Sequence, residues 1–171
     1  MNNLAELHRS QGNTERAQTW YEEAIDMARS TQSPEGVFVR LCNLARLSVS
    51  CGHGDRACAL LLESLQLASS AELKGMGEDV LEVAAGPATL RGDHDSAARF
   101  ADAAATRMRV SRSQREPVDE AFIAPLLETA QRALGGTRYA AAQSEGASWG
   151  HDDAIARVRQ WLVAATAVAL A

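Results

Sequence analysis

The side chains best suited to chemistry in this 171-residue chain are its three cysteines and four histidines. Cys51 and His53 lie two positions apart, and a cysteine with a histidine is the pairing of a thiol nucleophile with its general base. Catalysis by such a pair requires hydrogen-bond reach between the two groups and a third group that orients the base. The sequence does not supply that arrangement, and Cys42 and Cys58 have the character of small core residues. We therefore expect no catalytic cysteine.

A metal site would need several histidines or carboxylates converging on one ion. His53 and His94 fall in successive turns between predicted helices, with acidic neighbours at Asp55, Asp93 and Asp95. Packed helices lie about 10 Å apart, so ligands on successive helix pairs are too distant to coordinate one ion. No paired carboxylates stand out from solvated helix faces, which argues against general acid–base catalysis. The sequence predicts no metal, no cofactor and no enzymatic activity.

Small, apolar and acidic residues recur every 40 positions, and this repeat predicts the elements that position all other side chains. The matched sets are Gly12, Gly52 and Gly92; Ala17, Ala57 and Ala97; Glu15, Asp55 and Asp95; Trp20, Leu60 and Phe100; and Ala5, Ala45 and Ala85. A glycine just past a helix adopts the left-handed cap conformation at little cost, and an acid in the next first turn suits the helix dipole. Each repeat is therefore predicted to be two antiparallel helices that meet at the glycine.

The three repeats differ in completeness. In the second, the apolar period predicts helices over about 35–50 and 55–69, with Ser33-Pro34 breaking the chain before them. The first lacks part of its first helix, which leaves Leu4 and Leu7 uncovered, so the chain is either a fragment or has a short first helix. In the third, Gly86-Pro87 predicts a kink or an early stop, in a degenerate terminal repeat or at a functional hinge.

After the repeats, three further helices are predicted, over about 118–134, 137–145 and 152–169. Gly135-Gly136 stops the first of them, and Pro125 predicts a kink or restart within it. Trp149 and Trp161 are expected to anchor this segment on the last repeat, and the alternative is an exposed partner site.

The net charge and the composition of the two ends limit which classes of partner and which cellular compartment the sequence favours. The net charge of −5 argues against a surface that binds nucleic acid. We interpret the basic cluster over 107–115 as a solvated helix end and linker. The alternative is a site for phosphate or for an acidic partner. The odd cysteine count and the polar start predict a cytoplasmic protein in a reducing compartment. The apolar Trp161–Ala171 run is shorter than the ~20 residues that span a bilayer.

The repeat resembles the tetratricopeptide repeat (TPR), and Gly12, Asn13, Ala17, Tyr21 and Ala24 fit its pattern well. The stretches 128–135, 138–146 and 152–156 resemble the tail of bacterial LuxR-type, MalT-like ATP-dependent transcriptional regulators and related adenylate-cyclase-type signalling ATPases. That resemblance implies a sensor region that receives a partner or ligand. Any ATPase, cyclase or DNA-binding activity would belong to other segments, because no Gly-rich phosphate loop occurs in this chain.

The first helices of the repeats are expected to line a concave face that binds a protein or peptide partner. The residues predicted to point into it are Asn2, Glu6, Arg9, Cys42, Asn43, Arg46 and Glu82. A clamp for a peptide carboxylate is not favoured, because Glu6 and Asp79 occupy the positions where its basic residues would stand. The same groove lining suits a small molecule, and the Leu4/Leu7 end or the Trp161–Ala171 helix offers a homodimer contact.

The sequence thus predicts an all-α, TPR-like right-handed α-α superhelix (solenoid) of about three helix pairs with a C-terminal helical cap. The repeats are assigned to 1–34, 35–72 and 73–112, and the cap to 113–171. The predicted function is a non-catalytic interaction or regulatory module, the C-terminal sensor or scaffold of a bacterial signalling or transcriptional regulator. The alternatives are a homodimerisation element and a small-molecule sensor, without direct contact to nucleic acid or membrane.

Overall fold

The structure is a computed structural model that describes residues 8, 11–73 and 76–169. Within those ranges the chain forms seven helices and no strands. The helices are α1 (Thr14–Ser30), α2 (Pro34–Ser50), α3 (Gly54–Ser70), α4 (Glu78–Leu90), α5 (His94–Ser111), α6 (Pro117–Ser148) and α7 (His151–Ala169). The chain is an all-α, TPR-like helical repeat, which confirms the predicted fold class.

The turns between helices follow the predicted glycines. Gly12, Gly52 and Gly92 have φ values of +74°, +77° and +76°, in the left-handed region that favours glycine. Gly135 has a φ of +71° and interrupts α6, which it divides into segments 117–134 and 136–148. The predicted stop at Gly135 is therefore confirmed, and the divided α6 forms a further helix pair after α4 and α5.

Caps explain where the helices begin. α2 starts at Pro34, and the Ser33 hydroxyl oxygen accepts a hydrogen bond from the Gly36 N–H at 3.2 Å. Asp93 caps α5 in the same way, accepting from the Ser96 N–H at 3.2 Å. Asn13 stands at the N-cap position of α1 but makes no side-chain capping bond. The predicted helices 35–50 and 55–69 agree with α2 and α3 to within one residue at each end.

The early stop predicted at Gly86-Pro87 is wrong, because α4 continues through Pro87 to Leu90. A Cβ added at Gly86 would lie 2.7 Å from Cγ1 of Val49, so the glycine lets α4 approach α2 closely. Pro87 is fully buried. Tertiary packing therefore holds the helix where local propensity would end it. Pro125 likewise lies within the helical segment 117–134, without the predicted restart.

The core is continuous from α2 to α7, with a second cluster between α1 and α2 around Tyr21 and Leu41. The predicted tryptophan anchor is confirmed at the far end of the molecule. The Phe100 ring lies 6.4 Å from the Trp149 ring and 5.8 Å from the Trp161 ring, and Trp161 Nε1 donates to Asp93 Oδ2 at 2.7 Å. These contacts hold α7 against α5.

Candidate partner-binding groove

The first helices of successive repeats are α2, α4 and segment 117–134, and we call the face that they share with the connection 112–116 the A face. Of the predicted groove residues, Asn2, Glu6 and Arg9 lie outside the described residues, as do Leu4 and Leu7 of the predicted dimer contact. The other groove residues stand on α2 and α4.

Cys42 is a correction to the predicted groove lining. Its side chain is fully buried in the core between α2 and its neighbours, so it presents no surface to a partner. Burial raises the pKa of its thiol to about 12, because the low-dielectric core disfavours the thiolate. Cys58 is also buried, which confirms the expectation that both cysteines are small core residues.

Arg46 extends from α2 and joins the three first helices. Its Nη2 donates to Asp79 Oδ1 at 2.9 Å, its Nη1 donates to Asn43 Oδ1 at 2.9 Å, and its Nε lies 3.5 Å from Asp119 Oδ1. The side chain is only 5% exposed. Burial alone would lower the pKa of Arg46, but attraction to Asp79 and Asp119 outweighs burial and raises it. The guanidinium therefore stays charged in the interior of the A face.

Glu82 is the buried acid of the same network, with 1% of its side chain exposed. Its Oε2 accepts a hydrogen bond from Arg115 Nε at 2.6 Å, while its Oε1 lies 3.8 Å from Arg46 Nη2 and accepts no hydrogen bond. Burial raises the pKa of Glu82, and the two arginines offset only part of that effect. One buried acceptor is thus left open at this position.

Arg115 belongs to this buried network, although the sequence predicts it to be exposed to solvent. The expectation that it is solvated with the rest of the 107–115 cluster is wrong, because it turns inward and bridges Glu82 and Glu120, donating to Glu120 Oε2 at 2.8 Å. The sequence does contain a pattern that indicates this contact. Arg46 and Asp79, like Glu82 and Arg115, are opposite charges separated by 33 positions. Opposite charges at one constant offset indicate that successive repeats bring those positions together.

A cavity of about 310 Å³ opens beside this network. Its apolar lining includes Phe38, Met76 and Met108, and its charged lining is Arg46, Asp79, Glu82, Arg115, Glu116 and Asp119. Asp79 stands near the start of α4, and Glu116 and Asp119 stand at the start of α6. The cavity thus draws on three successive first helices and on the connection before α6. It lies at the low end of the size range of small-ligand sites.

A larger cavity of about 600 Å³ lies between α3 and α7, and it shares Met76 with the A-face cavity. We call it the α3–α7 cleft. Its lining is mostly apolar and consists of Leu65, Ala68, Ser69, Leu73, Met76, His151, Asp152, Ile155, Ala156, Arg159, Gln160 and Val163. Arg159 Nη2 donates to the Leu65 carbonyl oxygen at 3.0 Å and so ties the two helices together. Sequence reasoning missed this cleft because it depends on where α7 docks.

The structure also places the segment predicted to mediate dimerisation. In α7, Leu162 and Ala165 are buried inside the chain, whereas Val163 is 54% exposed. Much of the apolar surface of this helix is therefore used within one copy, and the homodimer stays a prediction. Among the described residues, no group of three or more histidine, cysteine, aspartate or glutamate side chains is arranged to hold a metal. None of the described helices is both long and apolar enough to cross a membrane.

Comparison with protein families gives a match at the start of the chain. A family model described as tetratricopeptide repeat matches residues 1–31, which include the whole of α1. Comparison with curated proteins and with solved structures gave no match. The family match supports a tetratricopeptide-repeat protein, a class whose repeats generally mediate contacts between proteins. It does not extend to the LuxR-type or MalT-like regulators, so that resemblance stays a hypothesis.

Proposed function

We propose that this chain is a non-catalytic protein–protein interaction module that binds an extended partner segment along the A face. The observation that carries the proposal is the cavity beside Arg46 and Glu82, which three successive first helices line together. A site shared by successive repeats suits an extended segment, because such a segment contacts several repeats in turn. The tetratricopeptide match supports a protein partner over other ligands.

Selection from a random-peptide display library on the immobilised full chain tests this function. Selected peptides are then titrated calorimetrically against the chain and against Ser113→Trp, which places a bulky ring on the exposed lining of the cavity. Ser70→Trp, at the exposed end of α3, is the matched control. We expect Ser113→Trp to weaken binding about tenfold or more and Ser70→Trp to leave it unchanged. Failure to select any binding peptide, or equal binding to both variants, would contradict the proposal.

We further propose that the module is the C-terminal sensor or scaffold of a bacterial signalling or transcriptional regulator in the cytoplasm. Support comes from the resemblance of stretches 128–135 and 138–146 to the tails of such regulators, and from three cysteines that are all free thiols. Sequencing the genomic reading frame around the chain tests this. An in-frame ATPase or regulatory domain upstream supports the regulator, whereas a true start at Met1 contradicts it and favours a free-standing adaptor.

The α3–α7 cleft favours a second candidate function, the sensing of a small apolar molecule. Its volume of about 600 Å³ lies within the range of small-ligand sites, and apolar side chains dominate its walls. Thermal-shift screening with apolar metabolites, repeated on Ala156→Trp to fill the cleft, tests this candidate. Stabilisation that Ala156→Trp abolishes supports it, and the absence of any stabilising compound counts against it.

A further inference from the structure

The A-face cavity combines two kinds of wall. Phe38, Met76 and Met108 supply an apolar surface, of which Phe38 is fully buried and the two methionines are half-buried. Methionine side chains are flexible and adapt to the shape of an inserted group. Carboxylates stand beside this surface. A cavity lined by both apolar side chains and carboxylates is complementary to a long aliphatic stem with a cationic head.

The charges lining the cavity have a negative excess. Four carboxylates and two guanidiniums line it, and each guanidinium already pairs with carboxylates of the chain. Glu116 is exposed at the start of α6 and makes no capping hydrogen bond with its side chain. The starts of α4 and α6 contribute positive dipole ends of about half a charge each, which moderate this excess of two carboxylates but do not reverse it. An anionic ligand would therefore meet repulsion here.

Glu82 adds an observation that is independent of the surface charge. It lines the cavity with 1% of its side chain exposed, and its buried Oε1 accepts no hydrogen bond. A buried acceptor without a donor is costly, and it is uncommon in native structures. A donor that enters the cavity would relieve that cost. The N–H groups of an ammonium or a guanidinium supply such donors together with the opposite charge.

We propose that the cavity receives a lysine or arginine side chain of the extended partner segment. The stem lies on Met76 and Met108, and the cationic head meets Asp79 and Glu116 at the entrance, with the charge of Glu82 behind them. This inference rests on the proposed function, since it specifies the partner that the module binds. It adds one requirement to the proposed function. The partner segment must carry a lysine or arginine whose side chain enters the cavity.

Peptides from the display selection test this requirement. Each basic residue in turn is replaced by a neutral analogue of similar shape, citrulline for arginine or norleucine for lysine, and binding is measured by calorimetry at low and high salt. We expect one replacement to weaken binding about tenfold, as the loss of a charge-assisted hydrogen bond does, and high salt to weaken the parent peptide further. On the chain, Glu116→Gln is expected to weaken binding a few-fold, and Glu63→Gln, on the exposed face of α3, to leave it unchanged.

The possible outcomes separate this inference from the proposed function. One possible result is that Ser113→Trp weakens peptide binding while the neutral analogues and Glu116→Gln leave it unchanged. That result would overturn the requirement for a basic residue and leave the proposed interaction function intact. If no peptide binds, both the proposed function and this inference fail. Because Glu116 is exposed and outside the buried network, its substitution is not expected to disturb folding.

Discussion

Ion pairs hold successive helices together on two sides of this molecule, and the two sets differ in their contact with water. On the outer side, Arg29 pairs with Glu63 at 2.7 Å and Arg56 with Glu22 at 2.6 Å, with 38–52% of each side chain exposed. On the A face, the side chain of Arg46 is 5% exposed and that of Glu82 is 1% exposed. The Arg115–Glu82 bond, at 2.6 Å, is as short as the outer pairs, so the two sets differ mainly in their surroundings.

This difference indicates which ion pairs contribute most to the stability of the fold. Exposed pairs contribute about 0–1 kcal/mol each, because water and salt screen them and ordering two long side chains costs entropy. Removing one member of a buried pair costs about 3–5 kcal/mol, because the remaining charge is left uncompensated in the interior. The A-face network therefore fixes how α2, α4 and α6 lie together, and the outer pairs add little. The proposed binding site lies on the side where substitutions have large effects.

The largest expected effect is that of Glu82→Ala. It leaves Arg46 and Arg115 without their shared acid, and we expect a loss of about 3 kcal/mol in the free energy of unfolding, measured by urea denaturation. Glu63→Ala on the outer side is the control and should cost less than about 1 kcal/mol. Equal losses for the two variants would remove the distinction between the two faces.

Gly86→Ala is expected to have the next largest effect, because it tests how closely α4 approaches α2. The added Cβ would meet Val49 at 2.7 Å, and such overpacking costs about 1–3 kcal/mol. Gly136→Ala is the matched control, since a Cβ there meets nothing within 4 Å and alanine is the better helix former. Thermal unfolding of both variants, and of Gly86→Ala combined with Val49→Ala, measures the effect. Failure of Val49→Ala to recover stability would contradict the steric explanation.

A smaller effect should appear as a pH dependence specific to Glu82. Its pKa is raised on folding, so between the ordinary glutamate pKa and the folded value the folded chain holds a proton that the unfolded chain has released. The stability linked to that proton is fully present below the unfolded pKa and is lost as the pH rises through the folded pKa. Glu82→Gln removes this dependence. We expect the unfolding free energy of the wild type to fall relative to that of Glu82→Gln as the pH rises through this window.

Urea unfolding of both proteins over a pH series from about 4 to 7 measures that difference. Parallel stability curves would show that the two arginines compensate the burial of Glu82 fully. They would contradict a raised pKa.

The smallest effect is expected for the outer pair Glu22–Arg56. A double-mutant cycle with alanine at both positions should give a coupling energy of about 0.5 kcal/mol, and high salt should remove it. The same cycle at Glu82 and Arg115 should give a larger coupling that salt changes little. A strong, salt-insensitive coupling on the outer side would contradict the contrast between the faces.

Much of the fold follows from local features of the sequence. The glycines at a period of 40 residues mark turns because their left-handed φ excludes most side chains, and the apolar period of α2 and α3 fixes the helices between them. The large aromatic groups Trp149 and Trp161 could be assigned to the contact of α7 with the last repeat because few other residues bury so much area.

The remaining features depend on contacts between distant residues. Pro87 stays helical only because α4 is packed on both sides, and Cys42 lies in the core rather than on the groove because of the rotation of α2. Arg115 turns inward to pair with Glu82, which lies 33 positions earlier and is therefore absent from any local pattern around Arg115. Helical periodicity gives the face of each helix to within about one residue in a turn of 3.6, which is too coarse to separate groove from core.

Hydrogen–deuterium exchange of the full chain, with and without a peptide selected by display, tests the central claim most directly. We expect the bound peptide to protect residues 77–82 and 113–120, where the A-face cavity and its ion-pair network lie. Protection confined to α3 and α7 would place the partner in the α3–α7 cleft and contradict the proposed groove.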